Sequence, residues 1–157
     1  MEVNDLEECY EKYKNTVYRT AIAYLKNKAD AEDIMQETFL KRYHYHFSFP
    51  NSDQEKAWLL RVAINLCKNL LKSSHKRNCV SLEETEFLYE TQEEYTVTEA
   101  VMKLEPKYRM TIHLYYVEGY SVQEISKMLS ISRTAVRTRL HRARQMLKDI
   151  LGKEFYI

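Results

Sequence analysis

Two glycines and two prolines are all that the 157 residues contain. Hairpins and tight turns draw on glycine for positive φ and on proline for preset geometry, so strands are poorly provided for. Cysteine is scarce too. Its three copies, Cys9, Cys67 and Cys79, are odd in number and form no CxxC pair. That spacing suggests neither a disulfide framework nor a zinc site, and reduced thiols in the cytosol are expected. No apolar run approaches the roughly 18 residues of a membrane span. The acidic start MEVNDLEECYEKY lacks the apolar stretch of a signal peptide. A soluble, cytoplasmic protein without membrane insertion is the expectation.

Enzyme chemistry is equally unprovided for. There is no glycine-rich phosphate loop and no nucleophile motif. His44 and His46 alternate along a helix and so point apart, while His75 and Cys79 lack the further ligands that zinc requires. No metal, no cofactor and no catalytic residue is expected.

What is present is helical pattern and segregated charge. The chain is 45% hydrophobic, enough for a folded protein of one ordinary domain or two small ones. Its net charge of +1 hides an asymmetry: +2 over residues 1–79, −7 over 80–105 and +6 over 106–157. An all-α fold of two small helical domains follows, residues 1–77 and 97–157, joined by an acidic flexible linker over 78–96.

In the first half, Leu6, Tyr10, Tyr13, Val17, Ala21 and Leu25 recur at helical spacing and predict a helix over 4–26. Asp30 is placed to cap a second helix over 31–45, whose apolar side carries Ile34, Met35, Phe39, Leu40 and Tyr43. Phe47 to Asp53 reads as a loop. A third helix, 54–73, offers Trp58, Leu59, Val62, Ala63, Leu66 and Leu70 to the core. Trp58 could be core or a stacking surface and is read as core, since a large aromatic at that spacing is more often buried.

In the second half, a short helix from Val97 stops at Glu105-Pro106, and another spans 108–117. Gly119 then suits a helix end. Ser121 and Glu124 form a capping box for a helix to Leu129. After the tight Ser130-Ile131 connection, Ser132 is placed to cap a last helix, 132–148. Val136, Leu140, Ala143 and Leu147 give that helix an inward face. Arg133, Arg137, Arg139, Arg142, Arg144 and Lys148 share the rest, with no acidic residue among them. A merely solvated surface helix usually mixes signs. Two helices joined tightly, the second basic on its outer face, make a helix-turn-helix directed at DNA.

With these residues in view, the chain resembles an extracytoplasmic-function sigma factor of bacterial RNA polymerase. The resemblance covers nearly the whole chain, in order, at two places. Asp30-Ala-Glu-Asp33-Ile-Met-Gln36-Glu37-Thr-Phe39-Leu40 is similar to the family's core-polymerase-binding helix. Ala57-Trp58-Leu59-Leu60-Arg61-Val-Ala-Ile-Asn65-Leu is similar to its promoter-melting helix. Leu104-Glu105-Pro106 onward through Gly119-Tyr-Ser121 and Arg139-Leu-His141-Arg-Ala-Arg144 is similar to its minus-35-binding domain. Arg133 and Thr134 depart from the commoner form, where many members carry a small residue and glycine.

The resemblance implies a transcription-initiation factor with core RNA polymerase and promoter DNA as partners, and an anti-sigma factor as regulator. Asp33, Gln36, Glu37 and Leu40 would meet core polymerase. Phe49, Asn51 and Ser52 in the loop, with Arg61, Asn65, Lys68 and Lys72, would hold the opened minus-10 element, where unstacked bases need aromatic platforms and basic grooves. Arg137, Thr138, His141 and Arg142 would enter the major groove of the minus-35 element, arginine being suited to bidentate contact with guanine. Arg133, Thr134, Arg139 and Arg144 would take phosphates. The alternative is a stand-alone helix-turn-helix regulator whose N-terminal half senses or dimerises. The Asp-Ala-Glu-Asp stretch and the Trp58 helix speak against it, since a sensor needs neither.

Overall fold

The computed structural model describes residues 1–73 and 91–152, with only the backbone of 93–95. The chain divides into two compact units, Met1–Cys79 and Val80–Ile157. Every regular element among the described residues is helical.

The N-terminal unit is a three-helix bundle of α1 (Val3–Leu25), α2 (Lys28–His44) and α3 (Ser52–Ser73), each packed on the other two. α1 ends as Lys26 turns into the left-handed region at φ 55 and donates its N–H to the Ile22 carbonyl at 2.9 Å. Asn27 then caps α2, its side chain accepting from the Asp30 N–H at 2.9 Å. The expected cap, Asp30, lies instead in the first turn and is buried. Asparagine caps as well as aspartate, and nothing in Lys28-Ala29 stops the helix from starting earlier. Asp30 keeps a favourable place near the positive helix end.

The inward face of α2 is Ala31, Ile34, Thr38, Phe39 and Arg42. Leu40, expected on the apolar side, is 57% exposed, and Arg42 is buried in its stead. α3 begins at Ser52, two residues earlier than expected, because Asn51 caps it by accepting from the Gln54 N–H at 2.9 Å. Its buried face is Leu59, Leu60, Ala63, Ile64 and Cys67. Trp58, Val62, Leu66 and Leu70, expected in the core, are half-buried. So many of α3's residues are apolar that periodicity could not fix the phase of its buried stripe.

Residues 78–90 of the expected acidic linker lie outside the described residues. Residues 92–96 are helical, since α4 spans Gln92–Met102. Glutamine and glutamate are good helix formers, and acidic residues suit a helix start, so a glutamate-rich run was compatible with either reading. α5 (Pro106–Ile112) starts with Pro106 in its first turn, where the missing N–H costs nothing. The helix expected to run to Val117 changes at His113 into one π-helical turn, His113–Val117. Gly119 follows at φ 76, and Tyr120 closes the turn by donating to the Leu114 carbonyl at 2.9 Å.

Ser121 caps α6 (Val122–Leu129), accepting from the Glu124 N–H at 3.1 Å, as the capping box requires. Ser130 is left-handed at φ 56, which makes the sharp connection to Ser132. Ser132 accepts from the Ala135 N–H at 3.0 Å and opens α7 (Arg133–Leu151), which ends three residues later than expected. α4, α5 and α6 all pack against α7. The buried face of α7 is Val136, Leu140, Ala143 and Leu147, the four residues that the spacing assigns.

Candidate nucleic-acid interface

With Val136, Leu140, Ala143 and Leu147 packed in the core of the C-terminal unit, the opposite face of α7 is turned outward. Arg133, Thr134, Arg137, Thr138, His141 and Arg142 are all exposed on it. Among the described residues, Arg133, Arg137 and Arg142 have no ion-pair or side-chain hydrogen-bond partner. Their guanidinium groups are therefore available to an external acceptor. Arg139 is half-buried. Arg144 is the exception. Its Nε donates to the Tyr116 hydroxyl at 2.7 Å, and its guanidinium lies 5.7 and 5.6 Å from the ring centroids of Tyr115 and Tyr116. A residue read from spacing as a phosphate contact is thus tied back to the π-turn. Tyr116 carries no sequence signal for that role, because its partner lies 28 residues away.

The π-turn is itself braced. His113 Nε2 approaches Glu118 Oε1 at 3.3 Å, with both side chains largely buried. Arg109, also buried, donates to the Leu104 carbonyl and so holds the α4–α5 junction. These contacts support the surface that presents α6 and α7.

In the N-terminal unit, Asp33, Gln36, Glu37 and Leu40 are exposed and follow the i, i+3, i+4, i+7 spacing of one helical face. An exposed leucine beside two carboxylates and an amide suits a protein partner better than a nucleic acid. On α3, Arg61, Asn65, Lys68 and Lys72 share a face by the same spacing. Arg61, Asn65 and Lys72 are exposed and Lys68 is half-buried with a partner of its own.

The α2–α3 loop is more ordered than its composition suggests. Tyr45 stacks on Phe49, with ring centroids 5.5 Å apart and planes at 18°, and packs on Trp58 at 4.8 Å. Phe49 in turn meets Trp58 at 5.8 Å, so Trp58 is part of a loop-borne aromatic group, half-buried beside the core. Phe47 projects outward and is 70% exposed. The Asn51 side chain is engaged in capping α3, and the Ser52 carbonyl accepts from the Tyr13 hydroxyl at 3.1 Å. A cleft of about 410 Å³ opens beside the loop, lined by Glu8 and Lys12 of α1 and by Arg42, Tyr45, Phe47 and Glu55.

Cys9 lines this cleft and Cys67 is buried further along α3, and neither thiol is reactive chemistry in waiting. Burial, and then the Glu55 carboxylate, pushes the Cys9 thiol up to about 11. Burial, and then Asp30, raises Cys67 to about 12. Both stay protonated at neutral pH, and a protonated buried thiol is a poor nucleophile and metal ligand. No cluster of metal-binding side chains occurs among the described residues, and no helix there is long and apolar enough to cross a membrane.

Comparison with known proteins follows the same division. Residues 9–77 match the family described as Sigma-70 region 2, and residues 96–147 match Sigma-70, region 4. The chain is 29% identical over 157 residues to the ECF RNA polymerase sigma factor SigM of Bacillus subtilis (strain 168), covering 94% of this chain and 96% of that protein. It is 29% identical over 153 residues to the RNA polymerase sigma factor SigV of the same organism, covering 95% and 92%. Among solved structures, the sigma factor RpoE in complex with the anti-sigma factor NepR from Bartonella quintana shares the fold, with a TM-score of 0.73, 19% identity and coverage of 95% and 98%. CnrH in complex with the cytosolic domain of CnrY gives 0.68, 22%, 96% and 89%.

Proposed function

The chain belongs to the extracytoplasmic-function branch of the sigma-70 family, and from that premise we propose how its surfaces divide the work of starting transcription. It is an alternative sigma factor that directs core RNA polymerase to promoters, and it supplies no catalysis of its own. The observation that carries this reading is the ordered pairing of the two sigma regions, residues 9–77 and 96–147, in one chain. A stand-alone regulator would need the second and not the first.

The exposed Asp33, Gln36, Glu37 and Leu40 face would dock on core polymerase. The duplex minus-35 element would be read by Arg137, Thr138, His141 and Arg142 in the major groove. Arg133, Thr134 and Arg139 would hold phosphates, with Arg144 reaching one only by leaving Tyr116. Phe49, Asn51 and Ser52 of the α2–α3 loop, with Arg61, Asn65, Lys68 and Lys72, would receive the unpaired minus-10 strand. In that arrangement Asn51 and Phe49 act by shaping the loop, and the exposed Phe47 adds a stacking surface. A cytoplasmic location is the reading that the relatives' names as RNA polymerase sigma factors support. An anti-sigma factor, such as the one in complex with the RpoE neighbour, would restrain it.

Run-off transcription tests the reading directly. The purified chain mixed with core polymerase should start promoter-specific transcripts that core alone does not make. Failure to bind core, together with tight dimeric binding to a palindromic operator, would replace it with the regulator.

A further inference from the structure

Arg42 stands in the last turn of α2 between Lys41 and Tyr43, where sequence gives no reason to single it out. Lys41 and His44 are exposed, whereas the Arg42 side chain is 7% exposed. Its Nε and Nη2 both donate to Oε2 of Glu55 in α3, at 3.0 and 2.8 Å. Its Nη1 donates to the Tyr45 carbonyl at 3.3 Å. The guanidinium carbon also lies 4.8 Å from the centroid of the Phe49 ring. One side chain therefore joins the end of α2, two residues of the loop and the first turn of α3.

We propose that Arg42, anchored on Glu55, is the positioning residue that sets the α2–α3 loop in its receiving shape before DNA arrives. The inference rests on the sigma reading of that loop. Extruding a base from the duplex is already unfavourable by a few kcal/mol of lost stacking and pairing, as a general property of base flipping. Ordering the loop at the same moment would add its conformational entropy to the same step. A loop held in advance separates the two terms, and preorganised sites gain from that separation. Arginine suits the task where lysine does not. Its planar fork can hold a carboxylate, a carbonyl and a ring face at once, while an ammonium is a single point of charge. Glu55 is the counterpart that makes burying the guanidinium tolerable. Arg42 itself would not touch the DNA.

The chain's single tryptophan is Trp58, inside the aromatic group that the clamp supports. Its emission thus reads the loop in the free full-length protein, with no polymerase present. Arg42→Lys and Glu55→Gln should leave helix content by circular dichroism unchanged, red-shift Trp58 emission and increase its quenching by acrylamide. In the reconstituted polymerase both variants should bind core as the native chain does and open duplex promoter about tenfold more slowly, as misplacement of a positioning group does. If Glu55→Gln loses helix content, Arg42→Lys decides the matter. Native Trp58 quenching in Arg42→Lys would overturn the clamp, and so would altered quenching with promoter opening at the native rate. A native chain that never initiates with core would sink the sigma reading instead, and the Trp58 measurement would still judge the clamp.

Discussion

Arg42 of the N-terminal unit and the outer arginines of α7 in the C-terminal unit are held in opposite ways. Arg42 in the N-terminal unit is buried against Glu55, Tyr45 and Phe49, its donors used inside the fold. Arg133, Arg137 and Arg142 on α7 project into solvent with no partner among the described residues. A cation with free donors can neutralise a phosphate or read a base, and its binding weakens with salt. One whose donors are already occupied shapes a surface that something else touches. The same residue type would thus serve architecture at Arg42 and contact at Arg133, Arg137 and Arg142. That difference matches the two proposed tasks: landing on closed duplex calls for charge, whereas receiving an unpaired base calls for a shaped, aromatic surface.

The contrast can be broken first at its foundation. Leu140 is 2% exposed beneath the basic face of α7. Leu140→Ala should destabilise the C-terminal unit by about 2–5 kcal/mol. Hydrogen exchange should then speed in α7 and its packing partners while α3 keeps its protection. Equal loss in α3 would deny that the presenting cores are distinct. A sharper version compares two arginines on one helix. Arg137→Ala should relax preference at one base pair of the minus-35 element by about 1–3 kcal/mol, whereas Arg133→Ala should weaken all sequences alike and lower the salt slope by about 1. Binding titrations over a salt series and a promoter library would decide; uniform weakening from Arg137→Ala would move it to the phosphate class.

Smaller in size is the effect of Gln36→Ala combined with Glu37→Ala, which should weaken core binding about tenfold, or ~1.4 kcal/mol, without altering the fold. Unchanged core affinity would remove α2 from that interface. Smallest at neutral pH is the behaviour of the thiols. Cys9 and Cys67 should resist iodoacetamide at pH 8 in the native protein, as mass spectrometry of the alkylated peptides would show. Their folded pKa values, about 11 and about 12, lie above the ordinary 9.0. The stability they lend is therefore complete below pH 9 and is lost as pH rises through those values. Alkylation of either at pH 8 would show that the N-terminal core opens more readily than its packing implies.

How much of this was legible in sequence differs between the units for a physical reason. On α7, four apolar residues recur at helical spacing among arginines, so Val136, Leu140, Ala143 and Leu147 could be placed inside and the arginines on the other faces. The caps Ser121 and Ser132 were equally readable, because a capping serine acts on a neighbour three residues away. On α3 the apolar residues run around too much of the helix, and the buried stripe includes Leu60, Ile64 and Cys67 rather than Val62, Leu66 and Leu70. The exposure of Leu40 and the burial of Arg42 were hidden for a related cause. A leucine reads as core and an arginine as surface unless the partner is known, and Glu55 is 13 residues away across a loop. The tie between Arg144 and Tyr116 is longer still. Local rules found the helix caps, whereas the Arg42–Glu55 and Arg144–Tyr116 ties are non-local.

The division of labour can be read from one fluorescent base. 2-Aminopurine placed in the non-template minus-10 element brightens when it leaves the stack. Polymerase carrying the native chain should produce that rise on a duplex promoter, and core alone should not. With Arg61→Ala and Asn65→Ala together, footprints over the minus-35 element should persist while the rise is slowed about tenfold, the scale expected when groups that hold the reacting geometry are removed. A rise at the native rate, or loss of the minus-35 footprint along with it, would contradict the assignment of opening to the N-terminal unit and landing to α7.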